Sequence, residues 1–160
     1  MSEAMKKLTR NQFIPFLDVQ KDSTFVASVW KRIDYSTIFE LTVGEQEEDM
    51  DYICYENAVT EINSNKPELP QEIACYEGNP IYDFLIGELY NLPTGADTQV
   101  PLLLCFGGTG KKAWRCIVTL TSKVLNPVDG KITFSLKMGG DIEKGTYTIE
   151  AGSPTFQAEV

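Results

Sequence analysis

The sequence predicts a mainly β fold, a sandwich or barrel of antiparallel strands, with one flanking α-helix at about 79–90 and a long acidic β-hairpin at about 33–62. Three observations carry this. Apolar and polar residues alternate with period two over residues 33–43, 113–124 and 131–138, the spacing that gives a strand one apolar face. Clusters of Gly, Pro, Asn and Asp punctuate these runs. A single segment shows helical spacing.

In chain order, residues 1–12 form a polar arm. A first strand is predicted at 13–19, where Pro15 suits an edge or a strand start, and a second at 25–30. Over 33–43, Ile33, Tyr35, Thr37, Phe39, Leu41 and Val43 share one side, and Arg32, Asp34, Ser36, Glu40 and Thr42 the other. Gly44 and the acidic run 45–51 break that strand as a charged tip, and 52–62 is the return strand. Residues 63–78, with Asn63, Asn65, Pro67 and Pro70, form a turn-rich connector. Asn79 is an N-cap, and Pro80 takes the first helical position, where its missing N–H costs nothing. Ile81, Phe84, Leu85 and Leu89 then make one stripe able to lie on a sheet. Residues 100–106 are apolar on both faces, as in a central strand. The glycine-rich 107–110 turns the chain into 113–124, with Trp114, Cys116, Val118, Leu120 and Val124 inward. After the turn at 126–130, Ile132, Phe134, Leu136 and Met138 face inward. Residues 145–150 are a last short strand, and 151–160 is a tail. With no internal repeat or low-complexity block, 1–160 is predicted to be a single domain.

Composition narrows the function. Of 160 residues 42% are hydrophobic and 23% charged, a globular balance. The net charge is −9, which disfavours a docked nucleic acid or an anionic membrane. There is no histidine, so histidine-dependent triads and most zinc sites are excluded. No apolar stretch approaches the twenty or so residues a bilayer needs, and the sequence predicts a soluble, non-exported chain. Cys54, Cys75, Cys105 and Cys116 lack C-x-x-C spacing and are expected to be reduced core residues.

No catalytic, cofactor or metal site is predicted. The run GGTGKK at 107–112 has Cys105 where a phosphate loop needs its first glycine, and Lys112 where it needs Ser or Thr. A strand follows instead of a helix, so a hairpin turn is expected. The acidic run at 45–51 lacks calcium-loop spacing. No Ser, Thr or Cys has an activated setting.

Charge is segregated. Residues 33–65 hold nine carboxylates (Asp34, Glu40, Glu45, Glu47, Glu48, Asp49, Asp51, Glu56 and Glu61) and no Lys or Arg, while the rest of the chain is balanced. Crowding like charges works against folding, so the hairpin is expected to face something that must not adhere, a polyanion above all.

Two stretches resemble the major tail, or tail tube, proteins of long non-contractile-tailed bacteriophages. One is 51–97, DYICYENAVTEINSNKPELPQEIACYEGNPIYDFLIGELYNLPTGAD. The other is 112–148, KAWRCIVTLTSKVLNPVDGKITFSLKMGGDIEKGTYT. The matching features, in order, are Tyr-Asp-Phe on the helix, Ala-Trp opening a strand, Asn-Pro-Val-Asp-Gly-Lys-Ile-Thr-Phe, and Gly-Gly-Asp-Ile-Glu-Lys-Gly. The resemblance implies a virion tail protein, assembled in the host bacterial cytoplasm into hexameric rings that stack into a tube. It further implies a tape-measure protein inside, tube-end proteins as partners, and a long hairpin lining a channel through which DNA passes without specific binding. On that view Asp34, Glu40 and Glu56 face the lumen. The tip residues Glu45, Glu47, Glu48, Asp49 and Asp51 face the lumen or the next ring, where Lys111, Lys112 or Lys131 would meet them. The arm and the tail become candidate ties between rings. Two alternatives stay open: a tail terminator or head decoration protein, and a monomeric ligand-binding β-sandwich using Trp30, Trp114 or Tyr90 as stacking platforms, although Trp114 lies on the predicted core face.

Overall fold

The computed structural model describes residues 4–159. It has ten strands and one α-helix: β1 (Ile14–Asp18), β2 (Trp30–Arg32), β3 (Glu45–Met50), β4 (Val59–Asn65), β5 (Glu68–Ala74), α1 (Pro80–Asn91), β6 (Gln99–Cys105), β7 (Lys112–Asn126), β8 (Lys131–Met138), β9 (Glu143–Glu150) and β10 (Ser153–Ala158). The predicted mainly β class with one helix holds.

The fifteen-residue β7 organises the sandwich. One of its edges pairs with β6. The other pairs with β9 through its first residues and with β8 through its last, so the sheet divides along its length. One leaf runs β10-β9-β7-β6-β1-β2, and the other adds β8 and β5 to the far end of β7. All these pairings are antiparallel.

The central β6 shows why a doubly apolar run is a buried strand. Val100, Leu102 and Leu104 enter the main core with Leu17, Leu69, Ile73, Cys116, Val118, Leu120, Ile132, Phe134, Leu136 and Met138. Leu103 and Cys105, pointing the other way, join Ile14, Phe16 and Ala113 in a second cluster covered by Trp30, Tyr147 and Phe156. The strand thus serves two apolar layers, as its lack of alternation predicts. The helix behaves as expected: the Asn79 side chain accepts from the Ile81 N–H at 3.1 Å, and Ile81 and Leu85 are fully buried. The glycine-rich segment before β7 is a hairpin turn, and Trp114 packs against the main core with its ring edge-on to Phe106 at 4.9 Å.

Several expectations are corrected. Residues 33–43 are not a regular strand; they run beside β5 through two isolated bridges, Ser36 to Ile73 and Thr42 to Glu68. Tyr35, at φ 62°, breaks the extension. Period two reported only part of the inward face: Ile33 is buried and Phe39 and Leu41 pack on the core, but Tyr35, Thr37 and Val43 are exposed, and Ser36 from the other side donates to the buried Gln71. The connector at 63–78 contains β5, whose Leu69, Gln71 and Ile73 are buried; of the residues that read as turn signals, Pro67 directly precedes the strand and Pro70 lies within it. The second predicted strand is mostly loop, and β2 begins only at its last residue, Trp30. Val124 faces solvent because β7 shifts register between Thr121 and Val124, where Ser122 takes a positive φ. The predicted tail is largely β10, paired with β9 along its length. Of the predicted arm, residues 1–3 lie outside the described residues, as does Val160 of the tail. Cys105 and Cys116 are buried, but Cys54 is exposed and Cys75 half-buried.

Candidate assembly surface

The hairpin formed by β3 and β4 is a separate two-stranded sheet, paired with nothing else among the described residues. All its strand residues are exposed apart from the half-buried Met50. Its root is fixed at Gly44, where φ is +63° and a Cβ would fall 2.5 Å from the Lys66 carbonyl oxygen, so this position demands glycine. The Lys66 N–H closes the root onto the carbonyls of Val43 and Gly44, each at 3.1 Å.

The acidic run is therefore strand rather than tip. Glu45, Glu47, Glu48 and Asp49 lie in β3, and the turn is formed by 51–58, carrying Asp51 and Glu56. Carboxylate-rich segments pair poorly by propensity, and here the partner strand compensates. Asp49 accepts from Thr60 Oγ1 at 2.7 Å and Glu48 from Asn63 Nδ2 at 3.1 Å, both across the ladder. At the tip, the Tyr52 hydroxyl donates to Glu61 at 3.1 Å, and that bond together with the carboxylate's charge pushes the Tyr52 phenol above its ordinary value.

Register fixes what each face presents. Glu47 opposes Ile62 and Asp49 opposes Thr60 on one face; Glu48 opposes Glu61 and Met50 opposes Val59 on the other. Residues 45–65 hold seven carboxylates and no cation, spread over both faces. Among the described residues they form no metal-binding group. The ribbon also shows apolar side chains that its own chain leaves uncovered: Ile53 is 106% exposed, Tyr55 59% and Ile62 58%. All three fall in the span that the sequence reads as the return strand, 52–62. Their exposure appears only once the ribbon is seen to project clear of the sandwich.

The remaining candidate residues lie on the body. Asp34 and Glu40 belong to the irregular run beside β5, and Asp34 is paired with Arg32 at 3.3 Å. They do not share a strand face with Glu56, which sits in the hairpin turn. Lys131 is engaged by Glu72 at 2.8 Å, an ion pair that raises its pKa. Lys111 and Lys112 are exposed at the start of β7.

The chain superposes on a chain from a C6-symmetric tail. That structure is described as the tail of an empty GTA particle computed with helical refinement; the match has a TM-score of 0.58 and covers 95% of this chain and 100% of that one. At 9% identity the likeness establishes a shared fold. No family model and no curated protein matches the sequence.

Proposed function

We propose that this chain is a structural subunit of a virion tail, forming sixfold rings that stack into a tube. The observation that carries the reading is the ribbon of β3 and β4. A two-stranded ribbon is barely stable alone and offers two unpaired edges, so it calls for neighbours. Edge-to-edge pairing of such ribbons around a ring closes every edge, as in a barrel. The fold shared with a chain of a C6-symmetric tail supports six as the ring number.

Six copies carry forty-two or so carboxylates at seven per ribbon, and the face turned inward presents its share of them to the bore. At physiological ionic strength a Debye length of about 8 Å lets these charges act on anything passing close by. DNA is repelled rather than bound, and slides. The role assigned is architectural, without catalysis; a tape-measure protein and tube-end proteins are the expected partners.

Electron microscopy of the purified full-length chain tests this. Rings and tubes with sixfold symmetry and the ribbon turned to the bore are expected, together with loss of tubes when residues 45–65 are replaced by a short Gly-Ser turn. A chain that stays monomeric at every concentration, or a map with the ribbon on the outer surface, overturns it.

A further inference from the structure

The body carries a cleft of about 700 Å³ where β7, β9 and β10 meet. It is lined by Lys112 and Trp114 of β7, Lys144 and Thr146 of β9, Phe106 before the turn and Glu159 after β10. Pairing of Trp114 with Lys144 and of Lys112 with Thr146 sets these four on one sheet face. Neither lysine makes an ion pair among the described residues. The cleft thus sets two lysines and one carboxylate, Glu159, against an aromatic wall, a net positive pocket of the size that buries a ligand.

A neighbouring hollow shares Trp114 and Lys144 and is otherwise lined by root residues of the ribbon, among them Val43 and Asn65, and by residues 139–142 of the turn before β9, Asp141 included. The cleft therefore opens beside the root. The turn at 51–58 lies a ribbon's length away, about 20 Å for six or seven residues. A paired ribbon cannot double back to fill its own chain's cleft. Yet the turn has the complementary chemistry, with Asp51 and Glu56 as charges and the exposed Ile53 and Tyr55 as apolar anchors.

We infer that this cleft seats the hairpin turn of a second copy, in the next ring of the stack. Ile53 and Tyr55 pack on the Trp114–Phe106 wall, and Asp51 and Glu56 face Lys112 and Lys144. Tip and cleft lie at opposite ends of the ribbon, so the contact is head-to-tail and propagates along the ribbon instead of closing. The inference rests on the tube reading and adds to it the contact that joins one ring to the next.

Cys54, exposed within the turn, is a built-in probe. Mild oxidation of assembled Thr146→Cys protein is expected to give an intermolecular ladder on non-reducing gels, absent when Cys54→Ser is added. Gln157→Cys, at the paired position of β10, serves if Thr146→Cys disturbs folding. Lys112→Glu with Lys144→Glu is expected to shorten tubes at least tenfold, and Asp51→Lys with Glu56→Lys in the same chain to restore them. Normal tubes with no cross-link from either position, or no loss on charge reversal, overturn the cleft assignment and leave the tube standing. Absence of rings and tubes from the wild-type chain overturns both.

Discussion

Arg115 donates to Glu143 at 2.7 Å while its guanidinium lies over the rings of Phe25 and Phe156, at 4.4 and 4.7 Å from their centroids. One side chain on β7 thereby joins β9, β10 and the loop before β2. The ion pair is partly exposed and contributes about 0.5 kcal/mol. The two cation–π contacts add roughly 0.5–1 kcal/mol each. Arg115→Met keeps the stem and removes these contacts, so a loss of about 2 kcal/mol and a Tm drop of roughly 5 °C are expected. Arg115→Lys is expected to recover less than half, because an ammonium cannot lie flat between two rings. A lysine variant melting with the wild type would show that charge alone matters.

Gly145 decides whether the C-terminal strand stays docked. It pairs with Ala113 on one side and Ala158 on the other, and a Cβ there would collide with the Gln157 carbonyl. The obstacle is backbone, which cannot move aside without breaking the ladder. Gly145→Ala is expected to destabilise by about 2 kcal/mol or more and to release β10 first. Hydrogen exchange is the check: amides of 153–158 should lose protection before those of β6. Uniform protection in the variant would contradict this.

The four thiols should separate cleanly. Burial pushes Cys105 and Cys116 up to about 12 from an ordinary 9.0, whereas Cys54 is exposed. A thiol reagent at neutral pH is expected to label Cys54 at once, Cys75 slowly, and the buried pair only on unfolding. The raised values also set an alkaline limit. Unfolded thiols ionise near 9.0 while folded ones resist to about 12, so stability is intact below 9.0 and falls as pH rises through that window. A denaturation midpoint flat from pH 9 to 12 would be incompatible with it.

The loop bearing Phe25 is held by two aspartates. Asp18, fully buried, accepts backbone N–H groups from Gln20 at 2.8 Å, Val29 at 2.9 Å and Asp22 at 3.0 Å. Asp18→Ala leaves three donors without their acceptor and is expected to cost about 3 kcal/mol, with new protease cleavage in residues 19–29. Asp22 in turn accepts from the Thr24 hydroxyl and from the Ala27 and Thr24 N–H groups, which hold its carboxyl below 3.8. Its contribution is therefore present above pH 3.8 and lost as pH falls through the depressed folded value. Carboxyl NMR titration checks this, and an Asp22 midpoint at or above 3.8 would refute it.

Legibility followed a physical line. The helix was readable because its cap, its leading proline and its stripe are local, and Asn79 and Ile81 meet as spacing requires. The inward faces of most of β7 and of β8 were readable because burial on one side imposes period two, and β6 because burial on both sides removes it. The ribbon's true extent was not. Whether Glu45–Met50 is strand or tip depends on the cross-strand partners Thr60 and Asn63 and on the root at Gly44, none of which periodicity reports. Strand β10 was missed for a similar reason: its pairing rests on the absence of a side chain at Gly145, a dozen residues upstream of Gln157.

The sequence by itself determined the β class, the single helix, most core residues and the confinement of excess negative charge to one segment, because composition and local spacing encode these directly. Only the tertiary structure decided that residues 45–65 of this segment stand free of the sandwich while 33–43 lies against it, and that Lys112 and Lys144 share a face with Trp114. Those relationships arise from pairings between distant strands, where register and close backbone approach, rather than local preference, choose the neighbours.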